Sequence, residues 1–312
     1  MVQTLSKRLY HKLRSKLSWF FLKYLKKWRN RIYNISRTFE GYAWYKPIIV
    51  FILATIIMAV IGVIMSLVTS LVFGLDFLKF VFGGGIDGLN SAIPIIFSDL
   101  LIFMFVPGLY LASKIVNDRP FSSYASSRGG WNFKLYLKAL IIPVILFVIF
   151  QYIDLTINGA NVGTSQVSIL FLIVLFITIP LQSIAEELMF RGILMQTLGS
   201  WFKIPILAVI IQVIIFALAH GYNSFGFVEM IVSGLIFGFF AWKTNGIEVS
   251  SALHTANNFC VGFFVMLGLY TSTSSPQLTS VLSVIVFEIL LCVLMYYIGK
   301  KTDWFGEIPE NS

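Results

Sequence analysis

Two adjacent glutamates, Glu186 and Glu187, stand in a stretch that otherwise has the composition of a membrane span, and Arg191 follows Glu187 by four residues. Only 14 of the 312 residues are acidic. Each charge placed in lipid costs roughly 2.5–3.5 kcal/mol on insertion scales. A sequence that accepts this cost indicates either a functional site or a buried ion pair that fixes the packing of helices.

The helical period separates the roles of these three side chains. Glu187 and Arg191 lie four apart and can form an ion pair within one helix. Glu186 is rotated about 100° away, so we expect it to lack a partner on its own helix. A carboxyl group without a partner in an apolar setting is suited to general acid–base chemistry.

Two of the three histidines, His220 and His254, also lie in apolar stretches. Phe216 precedes His220 by four residues and Asn258 follows His254 by four, so each pair shares one face of a helix. His254 and Asn258 can position a water molecule or hold an oxyanion, and His220 can orient that water or polarise a carbonyl group. We expect Phe216 to pack beside the site.

Together these residues resemble the three motifs of the CAAX-protease and bacteriocin-processing (CPBP/Abi) family of intramembrane proteases. The motifs occur in the family's order, within about 166–265: Glu186-Glu187-x-x-x-Arg191, Phe216-x-x-x-His220 and His254-x-x-x-Asn258. The resemblance implies a helical core with a catalytic cavity open to the membrane interface. It also implies hydrolysis of peptide bonds in membrane-associated substrates.

The resemblance further implies a role for each residue. Glu186 would activate a water molecule together with His220, while His254 and Asn258 would form the oxyanion site. Three further residues would support the site: Glu187, Arg191 and Phe216.

The need for a metal is a separate question, because members of the family have been described both as metalloproteases and as glutamate-dependent enzymes. Glu186, His220 and His254 could bind zinc in principle, but the sequence has no HExxH motif. The resemblance favours glutamate chemistry without a cofactor. A serine mechanism lacks a GxSxG motif, and a paired-aspartate mechanism lacks a second carboxylate because Asp99 is the only aspartate deep within a predicted span.

The composition predicts the elements that must position these residues. Hydrophobic residues make up 58% of the chain and charged residues 12%, against about 25% charged residues in a soluble domain. A spanning helix needs about 20 mostly apolar residues. We therefore predict an all-α, polytopic transmembrane helix bundle of about eight spans. The predicted windows are 47–74, 92–113, 135–153, 166–187, 202–220, 224–242, 247–270 and 279–299.

The basic residues predict how these spans are oriented. Of 23 lysines and arginines, 12 lie in residues 1–46, and Lys300 and Lys301 follow the last window. With both termini inside, Lys79 alone falls in an outer loop, so the positive-inside rule predicts an N-in, C-in topology. The net charge of +9 is then a signal of membrane orientation, and we expect no nucleic acid partner.

The chain divides into four predicted parts. Residues 1–46 form a basic amphipathic segment expected on the cytoplasmic leaflet, where anionic lipids would bind it. Residues 47–153 carry the first spans, residues 154–301 the CPBP/Abi-like catalytic core and residues 302–312 a C-terminal tail. No secretory signal peptide is visible, and the short loops fit a bacterial plasma membrane.

The windows conflict with one part of the site. They place Glu186 and His254 near the inner surface and His220 at the outer end of the fifth span, roughly 20 Å away at 1.5 Å per residue. We expect the chain to remove this conflict with a kink at Pro180 or with a membrane-embedded elbow over residues 190–201.

The predicted function is that of an intramembrane endopeptidase acting on membrane-associated peptides or protein tails. One alternative is a non-catalytic membrane protein, a bacteriocin immunity or regulatory factor that binds a peptide in the same cavity. A transporter is a second alternative because intramembrane carboxylates also serve ion pathways, although no repeat of two halves is visible. Glu288, in the eighth window, is expected to be a packing or hydrogen-bonding residue.

Overall fold

The computed structural model describes residues 35–74, 92–159, 168–270 and 275–305, and the regular elements in these ranges are helices. A 3₁₀ turn, Ile35–Thr38, comes first, and a π-helix, Leu188–Leu194, joins α6 to α7. The α-helices are α1 (Lys46–Phe73), α2 (Ala92–Phe103), α3 (Phe105–Val116), α4 (Ser122–Ala125), α5 (Phe133–Asn158), α6 (Ile169–Glu187), α7 (Met195–Phe202), α8 (Pro205–Ala219), α9 (Ser224–Thr244), α10 (Glu248–Met266) and α11 (Leu278–Lys301). The predicted all-α class is confirmed.

Several predictions fall on parts of the chain that lie outside the described residues. These parts are most of the N-terminal amphipathic segment, the loop that contains Lys79 and the end of the C-terminal tail. The four-part division of the chain and the lipid contact of residues 1–46 therefore stay predictions.

Six stretches of helix in the described residues are long and apolar enough to cross a membrane, and they identify a multi-pass membrane protein by length and composition. They are Lys46–Phe73, Ile95–Val116, Phe133–Ile157, Ile169–Phe202, Ser224–Thr244 and Leu278–Lys301. The windows 202–220 and 247–270 correspond to α8, which has only 15 residues, and to α10, which buries several polar side chains. The count of eight spans and the orientation of the termini stay predictions.

The helix that carries both glutamates continues well beyond them. The chain stays helical from Ile169 through the π-helix to Phe202, so the predicted elbow over residues 190–201 is wrong. The chain reverses at Lys203, which has a left-handed backbone, and α8 then begins at Pro205. Glu186 and His220 lie seventeen residues on either side of Lys203, so both are about 25 Å of helix from the turn. The sequence analysis placed Glu186 and His220 at different depths because its fourth window ended at the glutamates, whereas the helix continues to Phe202.

Helix α10 lies among the helices that carry the site. It packs against α5, α6 and α9, and its residues from Glu248 to Ala256 are buried. Helices α8 and α9 approach closely because α9 presents glycines to α8. A Cβ atom at Gly234 would lie 3.2 Å from side-chain atoms of Phe216, and one at Gly238 would lie 3.0 Å from the amide nitrogen of Gln212.

The segment between α3 and α5 packs over the end of the bundle at which α3 and α9 end. This end is rich in lysine and arginine, for example Lys114 and Lys243. Residues 123–127 are buried. The backbone N–H of Ser127 donates to the carbonyl oxygen of Asn245 (3.0 Å), and that of Ile247 donates to Ala125 (2.9 Å). This segment therefore joins the turn before α10 by backbone hydrogen bonds, as a short strand pairing would.

Candidate active site

The predicted ion pair between Glu187 and Arg191 is present within the helix. Arg191 Nη1 donates to Glu187 Oε1 at 2.8 Å, and neither side chain is exposed. Arg191 Nη2 donates to the carbonyl oxygen of Gly234 on α9 at 3.1 Å, and the guanidinium lies 4.4 Å from the ring centroid of Phe216. Arg191 therefore neutralises a buried carboxylate and also connects α6, α8 and α9.

The π-helix places this arginine. Arg191 is a residue of Leu188–Leu194, and single π turns inside longer helices often occur at functional sites. Gly192, in the same turn, allows the carbonyl oxygen of Tyr124 to approach, since a Cβ atom there would lie only 2.9 Å from that oxygen. The sequence motif gave no indication of this change in helical period.

His254 lies between the two glutamates. Its Nδ1 is 3.0 Å from Glu187 Oε1, and its Nε2 is 3.5 Å from Glu186 Oε2. Because Glu187 is paired with Arg191, its carboxylate oxygen accepts a hydrogen bond and Nδ1 must carry the hydrogen. The Nε2 atom therefore faces Glu186, and a bond to Glu187 fixes the orientation of the ring. Glu187 thus positions His254 as well as pairing with Arg191.

Glu186 differs from the prediction in one respect. It does have a partner on its own helix, because Gln182 Nε2, one turn earlier, donates to Glu186 Oε1 at 2.6 Å. Its other oxygen, Oε2, is buried and has no hydrogen-bond partner among the described residues. The side chain as a whole remains 13% exposed. One oxygen is thus fixed by an amide, and the other is free to accept a proton.

Asn258 joins the same group of polar side chains. Its Nδ2 donates to Gln182 Oε1 at 3.0 Å, and its Oδ1 accepts from Asn257 Nδ2 at 3.2 Å. An amide nitrogen has two hydrogens, so one N–H of Asn258 remains for a ligand. Gln182 bridges Glu186 and Asn258, a role that its position four residues before Glu186 could have indicated.

His220 adjoins this group through an aromatic ring. Its Nδ1 lies 2.7 Å from the carbonyl oxygen of Phe216, and a carbonyl can only accept, so Nδ1 carries a hydrogen. In the neutral ring Nε2 then has a free lone pair. The ring of Phe216 packs against His220, with centroids 4.5 Å apart, and lies 6.2 Å from His254. The expected packing role of Phe216 is thus visible, since it contacts both histidines and Arg191.

A cavity of about 360 Å³ opens beside these residues. Gln182 and Asn258 line it, and so do two carboxylates that the sequence analysis did not place in the site, Asp99 and Glu229. Asp99 accepts a hydrogen bond from Thr178 at 2.9 Å. The position of Asp99 deep in an apolar window could have indicated a functional carboxylate. Glu229 lies near the start of the window 224–242, and no motif includes it.

Tyr222, in the turn before α9, also lines the cavity and lies near the acidic side chains around it. Partial burial raises the pKa of the Tyr222 hydroxyl, and the nearby charges of Glu229 and Glu186 raise that pKa further.

Glu288 is buried, and the Ser233 hydroxyl is 2.8 and 2.9 Å from its two carboxylate oxygens. The hydrogen-bonding interpretation of Glu288 fits this contact.

The possible metal ligands of the site are not clustered in the described part of the chain. Among the residues that the structure describes, no group of three or more histidine, cysteine, aspartate or glutamate side chains converges as metal ligands. A catalytic zinc needs three such ligands and an open position. Glu186, His220 and His254 do not form such a group in this arrangement, and the choice between glutamate and metal chemistry stays a prediction.

Comparison with known proteins connects this geometry to a family. A family model described as type II CAAX prenyl endopeptidase Rce1-like matches residues 164–260. Residues 164–260 are thus similar to the CAAX-protease family, and we call them the CAAX-protease segment after this match. It contains every residue of the three motifs, from Glu186 to Asn258, and it agrees closely with the range of about 166–265 expected from the motifs.

The CAAX-protease segment is accompanied by similarity to one curated relative. The uncharacterized protein YyaK of Bacillus subtilis (strain 168) is 28% identical over 177 residues, which are 53% of this chain and 59% of the relative. No solved structure matches the chain. Helices α1–α5 and α11 lie outside the CAAX-protease segment, so the cavity is completed by α2 and α11 from beyond it.

Proposed function

We propose that this protein is an intramembrane endopeptidase that hydrolyses peptide bonds of membrane-associated peptides or protein tails. The observation that carries the proposal is the position of His254 between Glu186 and Glu187. The match of residues 164–260 to the CAAX-protease family model supports a protease. The similarity to a Bacillus subtilis protein supports a bacterial plasma membrane as its location.

In this proposal, Glu186 is the general base. A water molecule binds at Oε2, the carboxylate oxygen that lacks a partner in the described residues. Glu186 removes a proton from this water while the water oxygen bonds to the carbonyl carbon of the substrate. The resulting tetrahedral intermediate then loses its amine. The C–N bond breaks as the proton held by Glu186 passes to the leaving nitrogen, and the balance is one water consumed per peptide bond.

The remaining residues stabilise charge and orient the water. The free N–H of Asn258 donates to the oxyanion, and His254 does so when its Nε2 is protonated. The carboxylate of Glu187 holds the ring in this orientation because it accepts from Nδ1. The lone pair of His220 Nε2 accepts the second hydrogen of the attacking water. The reaction proposed here uses no metal ion.

The test is cleavage of a membrane-peptide library by the purified, detergent-solubilised protein, with products identified by mass spectrometry. Glu186→Gln keeps the size of the side chain and removes the base, so cleavage should fall by about 10²–10⁴-fold. Glu40→Gln, an exposed position at the other end of the bundle, is the matched control and should cleave like the wild type. A chelator should leave the wild-type rate unchanged.

Two outcomes would overturn the proposal. Equal cleavage by the wild type and Glu186→Gln would exclude Glu186 as the base. Absence of cleavage in the wild type, with peptide binding retained by both proteins, would establish the alternative of a peptide-binding immunity or regulatory factor.

A further inference from the structure

The cavity beside the site lies at one end of the bundle. Its lining includes Tyr222, Tyr270 and Pro276, which belong to the connections that precede α9 and α11. It also includes Asp99, in the third turn of α2, and Glu229, in the second turn of α9. The cavity is therefore formed where α2, α9 and α11 begin and where α10 ends.

The two ends of the bundle differ in charge. In the described residues, the lysines and arginines lie at the opposite end from the cavity, apart from the buried Arg191. They include Lys114, Lys203, Lys243 and Lys300, each at the end of a helix or in a turn. By the positive-inside rule that basic end faces the cytoplasm. The cavity then opens toward the other side of the membrane.

The basic end is also covered by protein. The segment before α5 forms backbone hydrogen bonds to the turn before α10. Beneath it, Arg119 donates to the side-chain oxygen of Gln196 at 2.5 Å and stacks 3.9 Å from the ring centroid of Tyr124. A substrate that reached Glu186 from this end would have to displace these buried polar contacts. A substrate that entered through the cavity would reach Gln182 and Asn258 without breaking these contacts.

The lining of the cavity is acidic. It contains the carboxylates of Asp99 and Glu229, and none of its described residues is a lysine or an arginine. Gln182, in the same lining, donates to Glu186, so three acidic groups lie around one cavity. In a partly dehydrated site, the field of these groups attracts positive charge far more strongly than it would in water. The amide groups of Asn257 and Asn258, at the inner wall, can bind a peptide backbone.

We propose that this cavity is the substrate entrance, and that it takes a peptide segment with a basic residue from the side of the membrane opposite the lysine- and arginine-rich helix ends. The proposal rests on the proposed endopeptidase function, because the segment bound in the cavity is the one delivered to Glu186. It adds a specificity that α2 and α11 help to create, and both helices lie outside the CAAX-protease segment.

The first experiment measures binding without cleavage, so that it does not depend on the protease activity. A fluorescently labelled alanine–leucine peptide with one central lysine is titrated into the full-length Glu186→Gln protein in detergent. The matched probe carries norleucine, which has nearly the shape of lysine without its charge. We expect the lysine peptide to bind at least about tenfold more tightly, with a preference that declines as salt is added.

The carboxylates are then neutralised in the same Glu186→Gln background. Asp99→Asn with Glu229→Gln should reduce the lysine-to-norleucine ratio of affinities to about one. Glu40→Gln with Asp303→Asn, two exposed acids at the basic end, should leave the ratio unchanged. Equal binding of the two peptides to the parent protein would overturn the proposal, even if the neutralised protein failed to fold.

The second experiment tests the side of entry in intact cells. Ser280 is exposed and lines the cavity, whereas Thr302 is exposed at the basic end. In a background with Cys260→Ala and Cys292→Ala, Ser280→Cys should react with a membrane-impermeant maleimide, and Thr302→Cys should react only after the cells are permeabilised. The reverse pattern would overturn the proposed side of entry. It would leave the endopeptidase proposal untouched.

Discussion

Removal of Arg191 should destabilise the protein strongly, and removal of Glu187 with it should restore part of the loss. Arg191 is fully buried and bonded to Glu187 Oε1 at 2.8 Å, and it also donates to the carbonyl oxygen of Gly234. Arg191→Met leaves Glu187 as an uncompensated buried charge, which costs about 3–5 kcal/mol. The lost bond to Gly234 adds about 1 kcal/mol.

The double variant Glu187→Gln/Arg191→Met removes both charges and keeps similar volumes. Because no unpaired charge remains, it should recover about 1–3 kcal/mol relative to the sum of the two single changes. The assay is thermal unfolding of the four proteins in one detergent, followed by tryptophan fluorescence. Arg191→Met should lower the melting temperature by roughly 10–20 °C, at about 2–4 °C per kcal/mol.

The same four proteins also separate the effect on stability from the effect on the cleavage rate. Gln at position 187 offers a weaker acceptor to His254 Nδ1, so the double variant should cleave poorly even where it is folded. Strictly additive melting temperatures across the four proteins would refute the argument, because they would show that the two charges do not interact in the folded state. Recovered stability with full cleavage would refute the positioning role of Glu187.

Two further changes test other parts of the structure. His220→Asn keeps a donor for the Phe216 carbonyl but lacks the Nε2 lone pair, so cleavage should fall by about 10²-fold or more while the melting temperature stays close to that of the wild type. Gln196→Leu removes the acceptor of Arg119 Nη1 and a donor to the carbonyl oxygen of Tyr124. This should cost about 1–3 kcal/mol in unfolding measurements, with the cleavage rate per folded molecule retained.

The helical class and the contacts within one helix can be predicted from the sequence alone. Helix length and composition are local properties, so the apolar windows could be read directly. The pair formed by Glu187 and Arg191 follows from a spacing of four residues. The order of the three motifs pointed to the family that residues 164–260 match, although no periodicity could show what those residues do.

Which of these helix faces meet follows from the packing of the helices. His254 lies 67 residues after Glu187 in the chain, and its contact with both glutamates depends on how α10 packs against α6. The register between two helices is set by the shapes of many side chains along the contact, and a spacing within one helix carries no information about it. The same holds for the bridge from Gln182 to Asn258.

The tertiary structure also decided the depth and the surroundings of the site. The continuation of the helix to Phe202 set Glu186 and His220 at equal distances from the turn, which hydropathy could not show because the π-helix and α7 contain buried polar residues. Asp99 and Glu229 are 130 residues apart in the chain, and they share one cavity because α2 and α9 begin at the same end of the bundle. A cavity is the space left between packed elements, so it exists only once those elements have docked.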